Sequence, residues 1–129
     1  MSTTIPFTAS SLLTFPPDLG QPAVDRPSSA SGTFVSKSEL DYDLTGSGTQ
    51  AVTLSVGSLG AKALQIEVDS SSANPTVPVY IKMNGGTEQL QITPGGFVVI
   101  SNPVPSAGGI LTLSIVYTVA CTVRIRALG

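Results

Sequence analysis

The chain has 129 residues, a net charge of −2 and only 11% charged residues, against roughly 25% in an average soluble domain. This length fits one domain with a modest core, and the excess of acidic over basic residues excludes the basic footprint of a nucleic-acid-binding protein. The absence of His and Trp, and of an apolar run long enough for a membrane helix, argues against catalytic, cofactor-binding and membrane-spanning roles. Because residues 1–13 also lack the pattern of a signal peptide, we expect synthesis in a cytoplasm.

Residues 1–33 are rich in Pro, Ser and Thr and predict an extended N-terminal arm. Each proline removes a backbone donor and disfavours helix in the residue before it. Apolar residues recur in small groups, which solvent-exposed linkers seldom have. We predict that the arm binds a partner through Ile5, Phe7, Leu12, Leu13, Phe15 and Leu19. In the alternative, Ile5, Phe7 and Phe15 fold back on the domain of the same chain.

Residues 34–129 alternate apolar and polar side chains with a period of two, which predicts β-strands with one buried face. The sequence Asn84-Gly85-Gly86 predicts a tight hairpin turn, because Asn and Gly tolerate positive φ. About eight strands separated by frequent turns predict an all-β domain, an antiparallel β-sandwich or jelly roll. The predicted strands cover residues 39–44, 52–56, 64–68, 79–83, 88–92, 97–100, 110–118 and 121–128.

The predicted strand from residue 110 carries no charge on either face. One face is wholly apolar and should meet the core, whereas the other mixes Ile110 and Val116 with hydroxyl residues and suits contact with another subunit. The sequence therefore favours a homo-oligomer, a dimer or a trimer. The candidate residues for an oligomer face are Ile115, Val116 and Tyr117.

Three carboxylates, Glu39, Asp41 and Asp43, project from one face of one predicted strand, and we call them the acidic row. Arg124 and Arg126 share one face of the last strand. Opposite charges with matching periodicity predict pairing between the two strands, within one subunit or between two. A solvated, charged edge that resists aggregation is the alternative. Calcium is disfavoured, because its ligands usually come from a loop bent around the ion.

Cys121 has no partner for an intrachain disulfide, and its apolar neighbours predict a small buried side chain. No His is present to lower its pKa, and Arg124 should point to the opposite face of the strand. We therefore do not expect a reactive thiol.

The Pro-rich arm, the narrow alphabet of Ser, Thr, Gly, Val and Leu, and the strand-rich run from Ile110 to Arg126 carry a resemblance. In these features the chain resembles small structural proteins of tailed bacteriophage virions, in particular capsid cement or decoration proteins. The resemblance implies a β-sandwich, often a jelly roll, on the outer capsid surface of the virion. It also implies a dimer or trimer whose terminal arm clamps the major capsid protein or another virion protein, with no catalytic residues.

Two other classes of function remain open. One is a recognition module, such as a phage head-fibre, tail-accessory or carbohydrate-binding domain, whose loops at residues 70–75 and 103–109 would bind a receptor. The other is an enzyme, which would need a site made of carboxylates alone, such as a glycosidase pair. With so few aromatic residues to bind a sugar, we expect that the protein is not an enzyme.

Overall fold

The structure is a computed structural model that describes residues 3–15, 17, 20, 22–71, 74–106 and 109–129. These residues form ten strands and no helix, and all strand pairs are antiparallel, so the predicted all-β fold is confirmed. It follows that the described residues contain no helix able to cross a membrane. The strands are β1 Ile5–Phe15, β2 Val24–Phe34, β3 Lys37–Leu44, β4 Gly48–Thr53, β5 Ala63–Val68, β6 Val79–Met83, β7 Gln89–Ile92, β8 Phe97–Ser101, β9 Thr112–Tyr117 and β10 Cys121–Leu128.

The N-terminal segment is a two-stranded ribbon formed by β1 and β2. Its pairs run without interruption from Ile5 opposite Phe34 to Phe15 opposite Val24. A single extended arm of this length would reach about 100 Å, whereas an 11-residue ribbon reaches roughly 35 Å. The sequence did not predict this pairing, because β2 consists mostly of small, polar and charged residues and has no apolar stripe to match the alternation of β1.

The other eight strands form two four-stranded sheets, ordered β3-β10-β5-β8 and β4-β9-β6-β7. Within these sheets the chain pairs with itself from its ends inward: β3 with β10, β4 with β9, β5 with β8, and β6 with β7. Two further pairings, β10 with β5 and β9 with β6, complete the sheets. The eight strands predicted from the period-two pattern all occur within a few residues of their predicted bounds.

Residues from both four-stranded sheets form one hydrophobic core. Leu64 and Leu113 are almost as inaccessible as the side chains that have no exposed surface. Burying a side chain of this size completely contributes about 1.5–3 kcal/mol. The core cluster includes no residue of the ribbon, so the two sheets have their own core. The side chains with no exposed surface are Ile66, Val68, Ile81, Ile115, Val123 and Ile125.

The turn after β6 has the predicted conformation and a second role. Asn84 and Gly85 both have positive φ, 51° and 69°, as the sequence indicated. The Asn84 side chain also donates from Nδ2 to the Gly109 carbonyl at 2.9 Å and accepts from the Leu111 backbone N–H at 2.8 Å. It therefore holds the segment that enters β9 against the β6–β7 turn, a contact that turn statistics do not reveal.

The two faces of β9 differ in exposure. Ile115 has no exposed surface and belongs to the core, so it cannot contribute to an oligomer face as the sequence suggested. Tyr117 is half-buried and packs against the core on the same side. Val116 lies on the opposite side of the strand, between Thr49 of β4 and Tyr80 of β6. Only Val116 among the three candidates points out of the domain.

Two neighbouring substitutions test this orientation of β9. Ile115→Ala should lower the free energy of unfolding by about 2–5 kcal/mol, because it opens a cavity in the core. Val116→Ala should cost less than about 1 kcal/mol in the isolated chain, since it removes atoms from an outer face. Equilibrium unfolding in urea measures both changes, and equal losses would contradict the orientation.

Candidate functional site

The outer faces of the two four-stranded sheets differ sharply in charge. The face of β3-β10-β5-β8, which we call the charged face, carries a large share of the charged residues of the protein. The face of β4-β9-β6-β7, which we call the low-charge face, carries Lys82 as its one charge. The charged residues of the first face are Lys37, Glu39, Asp41, Asp43, Glu67, Arg124 and Arg126.

On the charged face, the acidic row of β3 lies beside the two arginines of β10. In the register of these strands Arg124 is opposite Asp41, and Arg126 is opposite Glu39. The ion pair is diagonal, however, with Arg126 Nη1 lying 3.0 Å from Asp41 Oδ1. Because both side chains are partly exposed, such a pair contributes about 0–1 kcal/mol.

The other two members of the acidic row have different partners. Asp43 Oδ1 accepts a hydrogen bond from Thr122 Oγ1 at 2.8 Å, and Glu39 lies 4.0 Å from the ammonium of Lys37. Among the described residues, Glu39 therefore has one long, exposed ion pair. No group of three or more His, Cys, Asp or Glu residues suited to a metal ion occurs in the described residues.

Arg124 turns away from the acidic row toward β5. Its Nη2 lies 2.7 Å from Asp69 Oδ2 and its Nη1 lies 3.7 Å from Glu67 Oε1. Hydrogen bonds from the backbone N–H and hydroxyl of Ser71, followed by the interaction with Arg124, lower the pKa of Asp69 from 3.8 to about 2. Interaction with Asp69 in turn raises the pKa of Arg124. Asp69 lies just beyond the end of β5, so the alternation of the strands does not reveal it as a partner of Arg124.

The low-charge face is composed mostly of small, hydroxyl and amide side chains. Lys82 lies in its middle cross-strand row, and the adjacent row is uncharged. The residues of this uncharged row, side by side on four adjacent strands, are Thr49, Val116, Tyr80 and Gln91. Such a surface can be covered by another protein with little desolvation of charge. The structure thus places Val116 in an uncharged row of a surface that carries a single Lys, whereas the sequence had suggested such a surface from β9 alone.

The ribbon is amphipathic, because cross-strand partners share a face and successive residues alternate between faces. Its polar face contains mostly Ser, Thr and Pro, together with Leu12 of the predicted set. Its other face, which we call the apolar face, is occupied near the domain by Phe7, whose ring centroid lies 6.3 Å from that of Phe34. The residues of the apolar face are Ile5, Phe7, Ala9, Ser11, Leu13, Phe15, Val24, Arg26, Ser28, Ala30, Gly32 and Phe34.

The predicted partner-binding residues of the arm divide into two groups. Phe7, at the base of the ribbon, is buried within the chain. The alternative in which apolar residues of the arm fold back on the same chain therefore holds for Phe7. Leu12 and Leu13 are each 62% exposed, and Ile5 and Phe15 are each 50% exposed. These four side chains are available to a partner. Leu19, the last of the predicted set, lies outside the described residues.

A groove of about 420 Å³ separates the ribbon from the charged face. On one side it is bounded by Thr8, Ala9 and Ser10 of β1, and no residue of β2 lines it. Its floor comes from the charged face and from the end of that sheet. The floor residues are Lys37, Ser38, Glu39, Ala63, Leu64, Gln65, Val99, Arg126, Ala127 and Leu128.

Cys121 is buried at the start of β10, and burial raises the pKa of its thiol. A thiol held in its protonated form is a poor nucleophile, so this residue acts as a small core side chain, as the sequence predicted.

The chain matches no protein-family model, no curated protein sequence and no solved structure.

The hydrogen bonds from Ser71 to Asp69, together with the ion pair with Arg124, predict a specific acid sensitivity. Because the pKa of Asp69 is lower in the folded chain than in the unfolded one, its stabilising contribution is complete above about pH 4. It is lost as the pH falls toward 2. Asp69→Asn should lower Tm above pH 4, and the Tm values of the variant and the parent should converge by about pH 2.

Thermal unfolding followed by circular dichroism between pH 2 and 7 measures this difference. Glu88→Gln provides the control, because Glu88 is an exposed carboxylate on the β6–β7 connection. A constant difference in Tm between Asp69→Asn and the parent over the whole pH range would contradict the assignment.

Proposed function

We propose that the protein is a viral structural protein of the capsid cement or decoration type, which stabilises a shell by bridging capsid subunits through its ribbon and its β-domain. Its partners are the major capsid protein or another virion protein, together with further copies of this chain. The protein would act in the virion and would perform no catalysis.

The strand order supports a jelly roll as the finer description of the β-domain. In a jelly roll, eight strands fold as a long antiparallel hairpin that rolls into two sheets, and this fold is common among viral capsid proteins. The eight strands from β3 to β10 follow that pattern, because they pair from the two ends of the domain inward. Because jelly rolls also occur in lectins, the fold alone does not select the function.

The observation that carries the proposal is the exposed ribbon. A two-stranded hairpin is at best marginally stable in water, so one that extends from a domain with exposed Leu and Phe side chains needs a neighbour. Leu13 and Phe15 lie near the tip of the apolar face, away from the contact of Phe7 with Phe34. An element of this kind suits attachment to an assembly better than catalysis or solution transport.

The low-charge face supports the second contact. Its row of Thr49, Val116, Tyr80 and Gln91 carries no ionic group, and Lys82 in the adjacent row is the one charge of this face. Two separate contact surfaces on one small protein allow it to bridge two subunits. Even weak individual contacts then hold the shell, because linked contacts act at a high effective concentration.

One observation favours the recognition module as the second candidate. Phe97 at the start of β8 is 64% exposed and lies opposite Glu67 on the charged face. An exposed aromatic ring beside a carboxylate suits stacking on a sugar. Glycan binding by the isolated protein that is lost in Phe97→Ala would favour this candidate.

Deletion of residues 1–30 tests the role of the ribbon. The shortened chain should retain a cooperative unfolding transition, because the core cluster lies entirely in β3 to β10 and adjoining segments. It should lose most of its attachment to capsids that have been stripped of this protein, as measured by co-sedimentation. A shortened chain that attaches as well as the full chain would contradict the proposal.

Val116→Asp tests the low-charge face. Burying an unpaired carboxylate at the centre of a contact should weaken attachment at least about tenfold, while Tm of the isolated chain changes little. Thr87→Asp adds the same charge on the exposed β6–β7 connection and is the matched control. If both variants attach to capsids as the parent does, this face is not covered in the assembly.

A further inference from the structure

The free edge of β1 is unusual among the edges of this protein. β1 is 11 residues long and contains no charged side chain. The other edge strands are protected in familiar ways: β2 carries Asp25, Arg26 and Pro27, β3 carries the acidic row, and β4, β7 and β8 have six residues or fewer. Proteins usually shorten or charge an exposed edge to prevent pairing with another chain. The long, uncharged edge of β1 therefore suits pairing with a strand of another chain.

The positions of two prolines show which backbone groups point outward along the ribbon. Pro6 is opposite Thr33, and Pro27 is opposite Leu12. Every second cross-strand pair of the ribbon directs its backbone groups the same way, and both prolines belong to the same set of pairs. Because proline has no N–H, the ribbon keeps its hydrogen bonds only if these pairs direct their backbone groups away from the partner strand. The Thr33 carbonyl does so, since it accepts a hydrogen bond from Lys62 Nζ at 2.6 Å.

By the same alternation, Thr8, Ser10, Leu12 and Thr14 direct their N–H and C=O groups to the free edge of β1. An antiparallel strand related by a twofold axis at Ser11 satisfies all of these groups. In that register Ser10 pairs with Leu12 of the second copy, and Thr8 pairs with Thr14. Such self-pairing brings like residues close together, so it suits a strand without charge and would be opposed at the acidic row.

We propose that two copies of this chain join through their β1 edges and form a four-stranded sheet from two ribbons. The twofold register places Leu13 of the second copy opposite Ala9, and Phe15 of the second copy opposite Phe7. Large side chains thus meet small or aromatic ones, and the apolar faces of the two ribbons become continuous. This inference does not depend on the proposed function. It makes a second copy of this chain the neighbour of Leu13 and Phe15, so that Leu12 on the polar face is left for other contacts of the ribbon.

The groove beside β1 supplies the space for the second copy. It is bounded by Thr8, Ala9 and Ser10 on the side where the added strand would lie, and Val99, Gln65 and Arg126 form part of its floor. An added strand directs the apolar face of its ribbon toward this floor. The side chains of Leu13 and Phe15, exposed in one copy, would therefore be covered by the other.

Charge complementarity supports the same arrangement. Arg26 lies opposite Leu13 on the apolar face, and none of the ion pairs between described residues involves it. In the paired ribbons, β2 of the second copy is the strand farthest from β1, so its Arg26 lies over the acidic row. Glu39, which lies in the same cross-strand row as Val99, Gln65 and Arg126, is its nearest carboxylate.

The most direct test replaces the two serines of one ribbon pair. Ser10 and Ser29 lie opposite each other, and both direct their N–H groups outward, on opposite edges. Ser10→Pro removes a donor from the β1 edge and should raise the dimer dissociation constant about tenfold or more. Ser29→Pro has the same backbone cost on the β2 edge and should leave the dimer unchanged. Sedimentation equilibrium of the full chain measures both.

Cysteine cross-linking tests the register. Ser11 lies on the proposed twofold axis, where the Cβ atoms of the two copies are close enough for a disulfide. Ser28 is opposite Ser11 on β2 and lies on the same face of the ribbon. Under mild oxidation Ser11→Cys should form a covalent dimer, whereas Ser28→Cys should not. The native Cys121 is buried, so the parent chain should remain without cross-links.

A charge exchange tests the contact of Arg26. Arg26→Glu should weaken the dimer by placing like charges together, and the double variant Arg26→Glu with Glu39→Arg should restore it. Circular dichroism of each variant verifies that the domain is folded. A parent chain that is monomeric at every concentration, equal behaviour of Ser10→Pro and Ser29→Pro, or a Ser11→Cys variant that does not cross-link would each overturn the proposal.

Discussion

The pairing of β3 with β10 is the interaction on which the rest of the domain depends. It joins the first and last strands of the two sheets, and β10 also pairs with β5, so Val123 and Ile125 lie in the middle of the core. The backbone of Gly129 completes this closure through hydrogen bonds with Val35 and Ser36. Because the strands pair from the ends inward, most contacts join residues far apart in the chain, and such topologies fold slowly.

This closure also determines how the two outer faces are used. β3, β10 and β5 lie together in one sheet, and their outward positions collect the acidic row, Arg124 and Arg126. The outward positions of β9 and its neighbours carry hydroxyl and amide groups instead. One sheet therefore gives the protein a charged surface that resists unspecific pairing. The other gives it a surface that a partner can cover with little desolvation of charged groups. The ribbon adds a second candidate contact surface, beside the groove along the charged face.

The eight strands of the domain could be predicted from the sequence because each alternates apolar and polar residues, and a buried face enforces this alternation. The pairing of β1 with β2 could not, since Ser and Thr fit either face of an exposed ribbon and only the register relates Phe7 to Gly32. The partners of Arg124 were missed for a similar reason. Strand periodicity predicts which face a residue occupies, but not which neighbouring strand its long side chain approaches. Ile115 lies on the wholly apolar face of β9 that the sequence assigned to the core, so it does not belong among the contact residues, and of the three candidates only Val116 lies on the opposite face.

We propose that this chain is a component of a shell, attached from outside by its ribbon and its low-charge face. Electron cryomicroscopy of the native particle is the decisive experiment, because density for a small two-sheet domain can be located whichever protein it contacts. We expect copies of the domain at regular positions over the joints between capsid subunits, each with its ribbon extended to a neighbour. Density for the domain at the tip of a fibre, or particles that lack it altogether, would rule out this role.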